Sequence, residues 1–119
     1  MAAETDAEAA SDEHSLESRR VAELLEAGDA DAIDVREDDE WEVGRVPGAR
    51  HVPILEVAAQ ADTVDRERLV VFYCRSGNRS ALVADAFRAG GYHAHNMSGG
   101  ISAWAQAGLD LEPAGGSVA

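Results

Sequence analysis

The stretch Leu69-Val70-Val71-Phe72-Tyr73-Cys74-Arg75-Ser76-Gly77-Asn78-Arg79-Ser80 decides how this chain is read. Its first five residues are apolar with no polar alternation, which predicts a strand buried on both faces, as in a parallel sheet covered on both sides. A helix is expected over 80–89, with Leu82, Val83, Ala86 and Phe87 on one stripe. Between the two lies the only cysteine of the chain, Cys74. At such a junction a thiol meets backbone N–H groups and the positive end of a helix dipole. Both favour thiolate over thiol and can hold an anionic substrate. Ligands in open parallel sheets bind beyond the carboxyl ends of strands, and Cys74 stands at one.

Working outward, a helix is expected over 18–27, with Val21, Leu24 and Leu25 on one face and Gly28 at its C-terminal cap. A short buried strand follows over 32–36. Residues 38–43 are acidic around Trp41 and fit one helical turn. Pro47-Gly48 marks a turn, and 54–61 fits a second helix. Gly90-Gly91 ends the helix that follows Cys74, 92–97 reads as the last strand, and Gly99-Gly100 leads into a helix with Ile101 and Trp104 facing inward. Strands alternating with helices predict an α/β fold: a three-layer α/β/α sandwich with a mainly parallel central sheet. One domain is expected over 15–113, between a disordered acidic tail at 1–14 and a flexible C-terminal tail at 114–119.

The 119 residues carry a formal net charge of −13, and all ten basic residues are arginine. That surface argues against nucleic-acid partners and against anionic membranes. No apolar run approaches the length of a membrane span, and the first residues lack the basic start and apolar core of a secretory signal. One cysteine makes no internal disulfide, so a reduced, cytoplasmic setting is expected. His93 and His95, two apart on a strand, face the same side, but no third ligand is apparent nearby, so no metal is expected. His14 lies in the tail with no chemical role. His51 follows the Pro-Gly turn and receives none.

Four segments, in order, carry a family resemblance. They are Asp34-Val35-Arg36, then Gly44-Arg45-Val46-Pro47-Gly48-Ala49, then Tyr73 to Ser80, then Gly99-Gly100 with Trp104. Together they resemble the rhodanese-like family of sulfurtransferase domains over roughly residues 16 to 113. One position departs from the pattern: the family usually has His where this chain has Arg45, which keeps a donor and a positive charge.

The resemblance implies a rhodanese-like fold and a two-step sulfur transfer without metal or organic cofactor. Cys74 takes sulfur from a small anionic donor such as thiosulfate or a persulfide and passes it to cyanide or a thiol. Covalent catalysis of this kind splits one difficult step into two. A free thiol, with a pKa of about 8.5, is mostly protonated at neutral pH. N–H groups of residues 75 to 80, including those of Ser76 and Asn78, are therefore expected to stabilise the anion. Gly77 permits a tight curl. Arg75 and Arg79 offer positive charge and forked hydrogen bonds to sulfonate-type oxygens. Ser76 and Ser80 offer hydroxyl donors, and Ser80 also suits the cap of the next helix. Asp34, Arg36 and Arg45 are supporting residues, the first two as structural partners. Trp41 and Trp104 are expected in packing.

Two alternatives stand beside this reading. One is a persulfide relay or a module that binds a sulfur-relay protein. The other is a phosphatase or arsenate reductase. Four residues separate Cys74 from Arg79, one fewer than in a tyrosine-phosphatase-type loop, and the smaller loop favours a sulfur atom over a tetrahedral phosphate.

Overall fold

A computed structural model of the protein describes residues 14–118. The acidic segment expected to be disordered lies, but for His14, outside the described residues. The strands are β1 (Ser15–Leu16), β2 (Ala30–Asp34), β3 (Arg50–His51), β4 (Leu69–Tyr73) and β5 (His93–Met97). The helices are α1 (Ser18–Glu26), α2 (Asp38–Val43), α3 (Asn78–Ala89) and α4 (Gly100–Gln106). The strands form one sheet in the order β1-β5-β4-β2-β3, with every pairing parallel. The apolar strand β4 is central, with Ala30 to Asp34 paired against Leu69 to Tyr73 on one side and His93 against Leu69 on the other.

Alternation along the strands divides the core in two. On one face Ile33, Val35, Val70, Phe72, Cys74 and Ala94 pack against Val83, Ala84 and Phe87 of α3. On the other, Ala32, Val71, Tyr73 and Met97 meet Val21 of α1 and Ile101 and Trp104 of α4. Helices thus cover both faces, as the unbroken apolar run of β4 requires. Helix α1 ends as its sequence suggests. Gly28, at φ +77°, sends its N–H to the Leu25 carbonyl (3.1 Å), and Asp29 sends its own to Leu24 (2.9 Å), closing the orphan carbonyls of the last turn.

Several expected elements move. Strand β2 lies two residues earlier than 32–36, because the Arg36 N–H leaves the ladder for the Asp34 carboxylate (2.9 Å). Residues 54–61 form no α-helix but contribute to two 3₁₀ turns, Ile54–Glu56 and Ala61–Thr63. Their inward residues, Ile54 and Val57, then Ala61 and Val64, recur every three positions, the repeat of that tighter helix. Helix α3 starts at Asn78, and its inward stripe is Ser80, Val83, Ala84 and Phe87. Leu82 is 70% exposed and Ala86 is also exposed. Strands β1 and β3, two residues each, have no sequence period to announce them. Of the segment expected as a loose tail, Ser117 donates its N–H to the Val43 carbonyl (3.1 Å) and Val118 packs against the α1–α4 side of the core. No helix among the described residues is long and apolar enough to cross a membrane.

Candidate active site

Cys74 follows the last residue of β4, and the chain curls from there into α3. The curl depends on Gly77, whose φ of +100° is left-handed backbone that other residues rarely adopt. Gly77 occupies the N-cap, with no side-chain cap bond. The cap expected of Ser80 is therefore absent: Ser80 already lies within the helix, and its hydroxyl turns inward. The turn aims the Gly77 N–H at the Cys74 Sγ, at 3.2 Å. The Ser80 Oγ lies 3.4 Å from the same sulfur.

Burial pushes the Cys74 thiol up. The Ser80 hydroxyl, together with the N–H groups of Ser80, Gly77 and Ser76, outweighs burial, so the thiol ionises below its ordinary range. The helix dipole favours the same outcome. The side chains of Arg75, Ser76 and Asn78 stand at the exposed rim of the loop. The carbonyls of Cys74 and Arg75 face the other way and accept the N–H groups of Ile101 (2.9 Å) and Ser102 (3.0 Å), so the first turn of α4 braces the loop from behind.

Arg79 is held above its ordinary range chiefly by its hydrogen bonds to Glu40, and the charge of Cys74 adds to that upward shift. It is gripped by Glu40 in a two-pronged pair, Nη1 to Oε1 at 3.2 Å and Nη2 to Oε2 at 3.1 Å. Glu40 also accepts the Glu37 N–H at 2.9 Å, closing a capping box at the start of α2. Burial pushes the Glu40 carboxyl up, but Arg79 and the Glu37 N–H more than reverse this and hold it below the usual carboxylate range.

The expected supporting residues occupy a neighbouring layer. Asp34 and Arg36, both fully buried, form a two-pronged pair, with Nε to Oδ1 at 3.0 Å and Nη2 to Oδ2 at 2.8 Å. Arg36 Nη2 also donates to the Gly44 carbonyl (2.7 Å), tying the end of β2 to the segment after α2. Arg45 lies over the Trp41 ring at 4.8 Å, donates to the Trp41 carbonyl (3.1 Å) and approaches Glu112 (3.9 Å). His51 stacks on Trp41 at 4.7 Å, with its Nε2 2.8 Å from the Arg36 carbonyl. Trp104 is buried, with its indole N–H on the Asp110 carbonyl (2.7 Å). His93 is exposed, and His95 faces His14 at 6.1 Å. No group of three or more His, Cys, Asp or Glu side chains among the described residues is placed to hold a metal.

Two residues at the site escaped the sequence reading. Glu40 carried a signal, as the third residue after Glu37 in a capping box. Asn96 carried a fainter one, as a polar side chain in the last strand. The Asn96 Oδ1 lies 2.5 Å from the Ser80 Oγ, and its Nδ2 donates to the Gly77 carbonyl at 3.3 Å.

A buried sulfur with anion-stabilising donors at a helix N-terminus can act as a nucleophile and can hold negative charge as a bond to it forms or breaks. Comparison with known proteins places the arrangement. The chain is 34% identical over 101 residues to a sulfurtransferase of Allochromatium vinosum, covering 84% of this chain and 91% of that one. It is 34% identical over 83 residues to a tRNA sulfurtransferase of Desulfurococcus amylolyticus, covering 70% of this chain but 16% of that longer protein. The crystal structure of a rhodanese-related protein from Thermoplasma volcanium shares the fold, with a TM-score of 0.78 and 24% identity over 82% of this chain and 96% of that one. Residues 17–107, from the start of α1 to just past α4, match the family model directly, and the chain belongs to the rhodanese-like domain family.

Proposed function

We propose that the chain is a sulfurtransferase that carries sulfur on Cys74. The Cys74 thiolate attacks the outer sulfur of a donor such as thiosulfate. A new S–S bond forms, the old one breaks, and sulfite leaves with the electron pair. Cyanide or a thiolate then attacks the outer sulfur of the Cys74 persulfide, and the Cys74 thiolate is regenerated as leaving group. Each step is nucleophilic displacement at sulfur with no net redox partner, so the protein has only to supply an ionised sulfur and a place for negative charge.

The observation that carries this reading is the Cys74 sulfur, reached by the Gly77 N–H at 3.2 Å and the Ser80 hydroxyl at 3.4 Å, in a loop with four residues before Arg79. Arg75 and Arg79 supply the local charge for an anionic donor against the acidity of the whole chain. Exposed charges beyond the screening length of about 8 Å at physiological salt contribute little there. The same chemistry serves a relay in which the acceptor thiol belongs to another protein.

The test is intact-protein mass spectrometry after incubation with thiosulfate. A gain of about 32 Da at Cys74, one sulfur atom, removed by cyanide, is expected. Cys74→Ser should show neither the gain nor turnover. A folded wild-type protein that gains no sulfur from thiosulfate or from persulfide donors would overturn the reading.

A further inference from the structure

The Ser80 hydroxyl has one proton and two acceptors. Between the Ser80 Oγ and the Asn96 Oδ1, at 2.5 Å, a hydrogen must lie. The Asn96 amide cannot supply it, because its Nδ2 points at the Gly77 carbonyl (3.3 Å), which leaves Oδ1 as an acceptor. The proton is therefore that of Ser80. With that proton on Asn96, the side of Oγ facing the sulfur at 3.4 Å offers only a lone pair. A thiol S–H can donate to it. A thiolate cannot use it until the hydroxyl turns from Asn96 to the sulfur. Ser80 is fully buried and Asn96 is 8% exposed, so bulk water is not at hand to replace whichever bond is given up.

We propose that Asn96 is a positioning residue that acts through the Ser80 hydroxyl, holding it for the thiol form of Cys74 and releasing it to the thiolate. On ionisation the thiol proton leaves to solvent, the hydroxyl rotates from Oδ1 to Sγ, and no covalent bond of Ser80 or Asn96 changes. The proposal rests on Cys74 being the reactive sulfur, and it deepens that role. Asn96 competes with the sulfur for a donor while it braces the Gly77 carbonyl, and these two actions pull the thiol in opposite directions.

The neighbouring charges do not obscure the effect. On the α3 side Arg79 is drawn to Cys74, with Glu40 of α2 behind it. Arg75 is at the exposed rim, and α4 has no charged residue. Asp34 at the end of β2, Arg36 just beyond it and His95 of β5 alternate onto the opposite face of the sheet from Cys74 and Asn96. None of these groups touches the Ser80–Asn96 bond.

The experiment follows the rate of Cys74 alkylation by iodoacetamide against pH. As the chain has one cysteine, the profile reports this sulfur alone. Asn96→Ala should free the hydroxyl for the sulfur, shift the profile to lower pH and raise the thiolate fraction at pH 6 up to roughly tenfold, one pH unit. In a Ser80→Ala background the same substitution should no longer shift the profile to lower pH, because the hydroxyl that mediates that shift is gone and only the brace on the Gly77 carbonyl is lost. A shift to higher pH, no shift with Ser80 present, or an equal shift with and without Ser80 would each overturn the proposal. If Asn96→Ala does not fold, Asn96→Leu, with the same branching and number of side-chain heavy atoms but without the acceptor, takes its place with the same expectations. Alkylation needs no sulfur donor, so failure of sulfur transfer and failure of this proposal are read separately.

Discussion

Replacing Gly100 with alanine tests how the Cys74 loop is held. Gly100 begins α4 at φ +61°, and a Cβ there would stand 2.5 Å from both the Cys74 and the Arg75 carbonyl oxygens. Both are backbone atoms of the loop and cannot swing aside as a side chain would. Left-handed backbone costs a non-glycine residue about 1–2 kcal/mol. Relieving the overlap requires α4 and the loop to separate. That strains or breaks the bonds from Ile101 N–H to Cys74 (2.9 Å) and from Ser102 N–H to Arg75 (3.0 Å), worth about 1 kcal/mol each. The expected loss is about 3–4 kcal/mol, a large share of the roughly 5–15 kcal/mol that holds a domain together.

Thermal unfolding followed by circular dichroism should show a Tm fall of about 12–16 °C, at about 4 °C per kcal/mol for a chain of this size. Gly28→Ala is the control. Gly28 has φ +77°, yet a Cβ there meets nothing within 4 Å, so it bears only the backbone cost of about 1–2 kcal/mol. If Gly100→Ala loses no more than Gly28→Ala, the bracing of the Cys74 loop by α4 is not what the carbonyl contacts suggest.

Further outcomes can be measured with the same preparations. Asp34→Ala leaves the Arg36 guanidinium buried without its carboxylate, so a loss of about 3–5 kcal/mol is expected in urea unfolding. Leu82→Gln should change stability by less than about 0.5 kcal/mol, since the side chain is 70% exposed. Wild-type Cys74 should alkylate with a midpoint below about 8.5, the ordinary thiol value, because the loop donors outweigh burial. Glu40 has a folded pKa below its unfolded value, so its contribution is complete above the unfolded carboxylate pKa of about 4.3 and is lost as pH falls through the folded value. Glu40→Gln should therefore flatten the acid limb of the stability profile, and an unchanged limb would show that the Arg79 pair contributes nothing measurable.

What the sequence disclosed follows the range of the forces involved. Leu69–Tyr73 was legible to the residue because a strand buried on both faces has to be apolar throughout. The end of α1 was legible because one glycine satisfies one local geometry. The inward stripe of α3 was misread at Leu82 and Ala86, since a helix rich in small residues presents no strong apolar contrast. Strands β1 and β3 exist only through their neighbours and carry no period of their own. The loop residues around Cys74 were contiguous and could be named together. Their partners could not: Glu40 lies 39 residues before Arg79, and Asn96 lies 16 after Ser80. A pairing across such distances depends on which strands become neighbours, and that is decided by the whole sheet.

The position of Asn96 shows why the Cys74 sulfur sits where it does. Strand β5 runs beside β4, so its Asn96 comes beneath the turn that leaves the end of β4. Helix α4 follows β5 through Gly99, and its first turn meets the Cys74 and Arg75 carbonyls from the opposite face of the sheet. Glu40, on the connection that leaves β2, closes the third side through Arg79. The loop is thus held by segments that follow the three central strands β2, β4 and β5 or lie within them. All of these strands point the same way, and only a parallel sheet gathers so many carboxyl ends at one edge. With its N–H groups fixed by these contacts, the loop needs little rearrangement when charge arrives on the sulfur, the condition under which oriented donors are most effective. The Ser80 hydroxyl, placed between the sulfur and Asn96, can turn from one to the other without moving the backbone, so a change in the charge of Cys74 should be met first by that rotation and only secondarily by movement of the backbone.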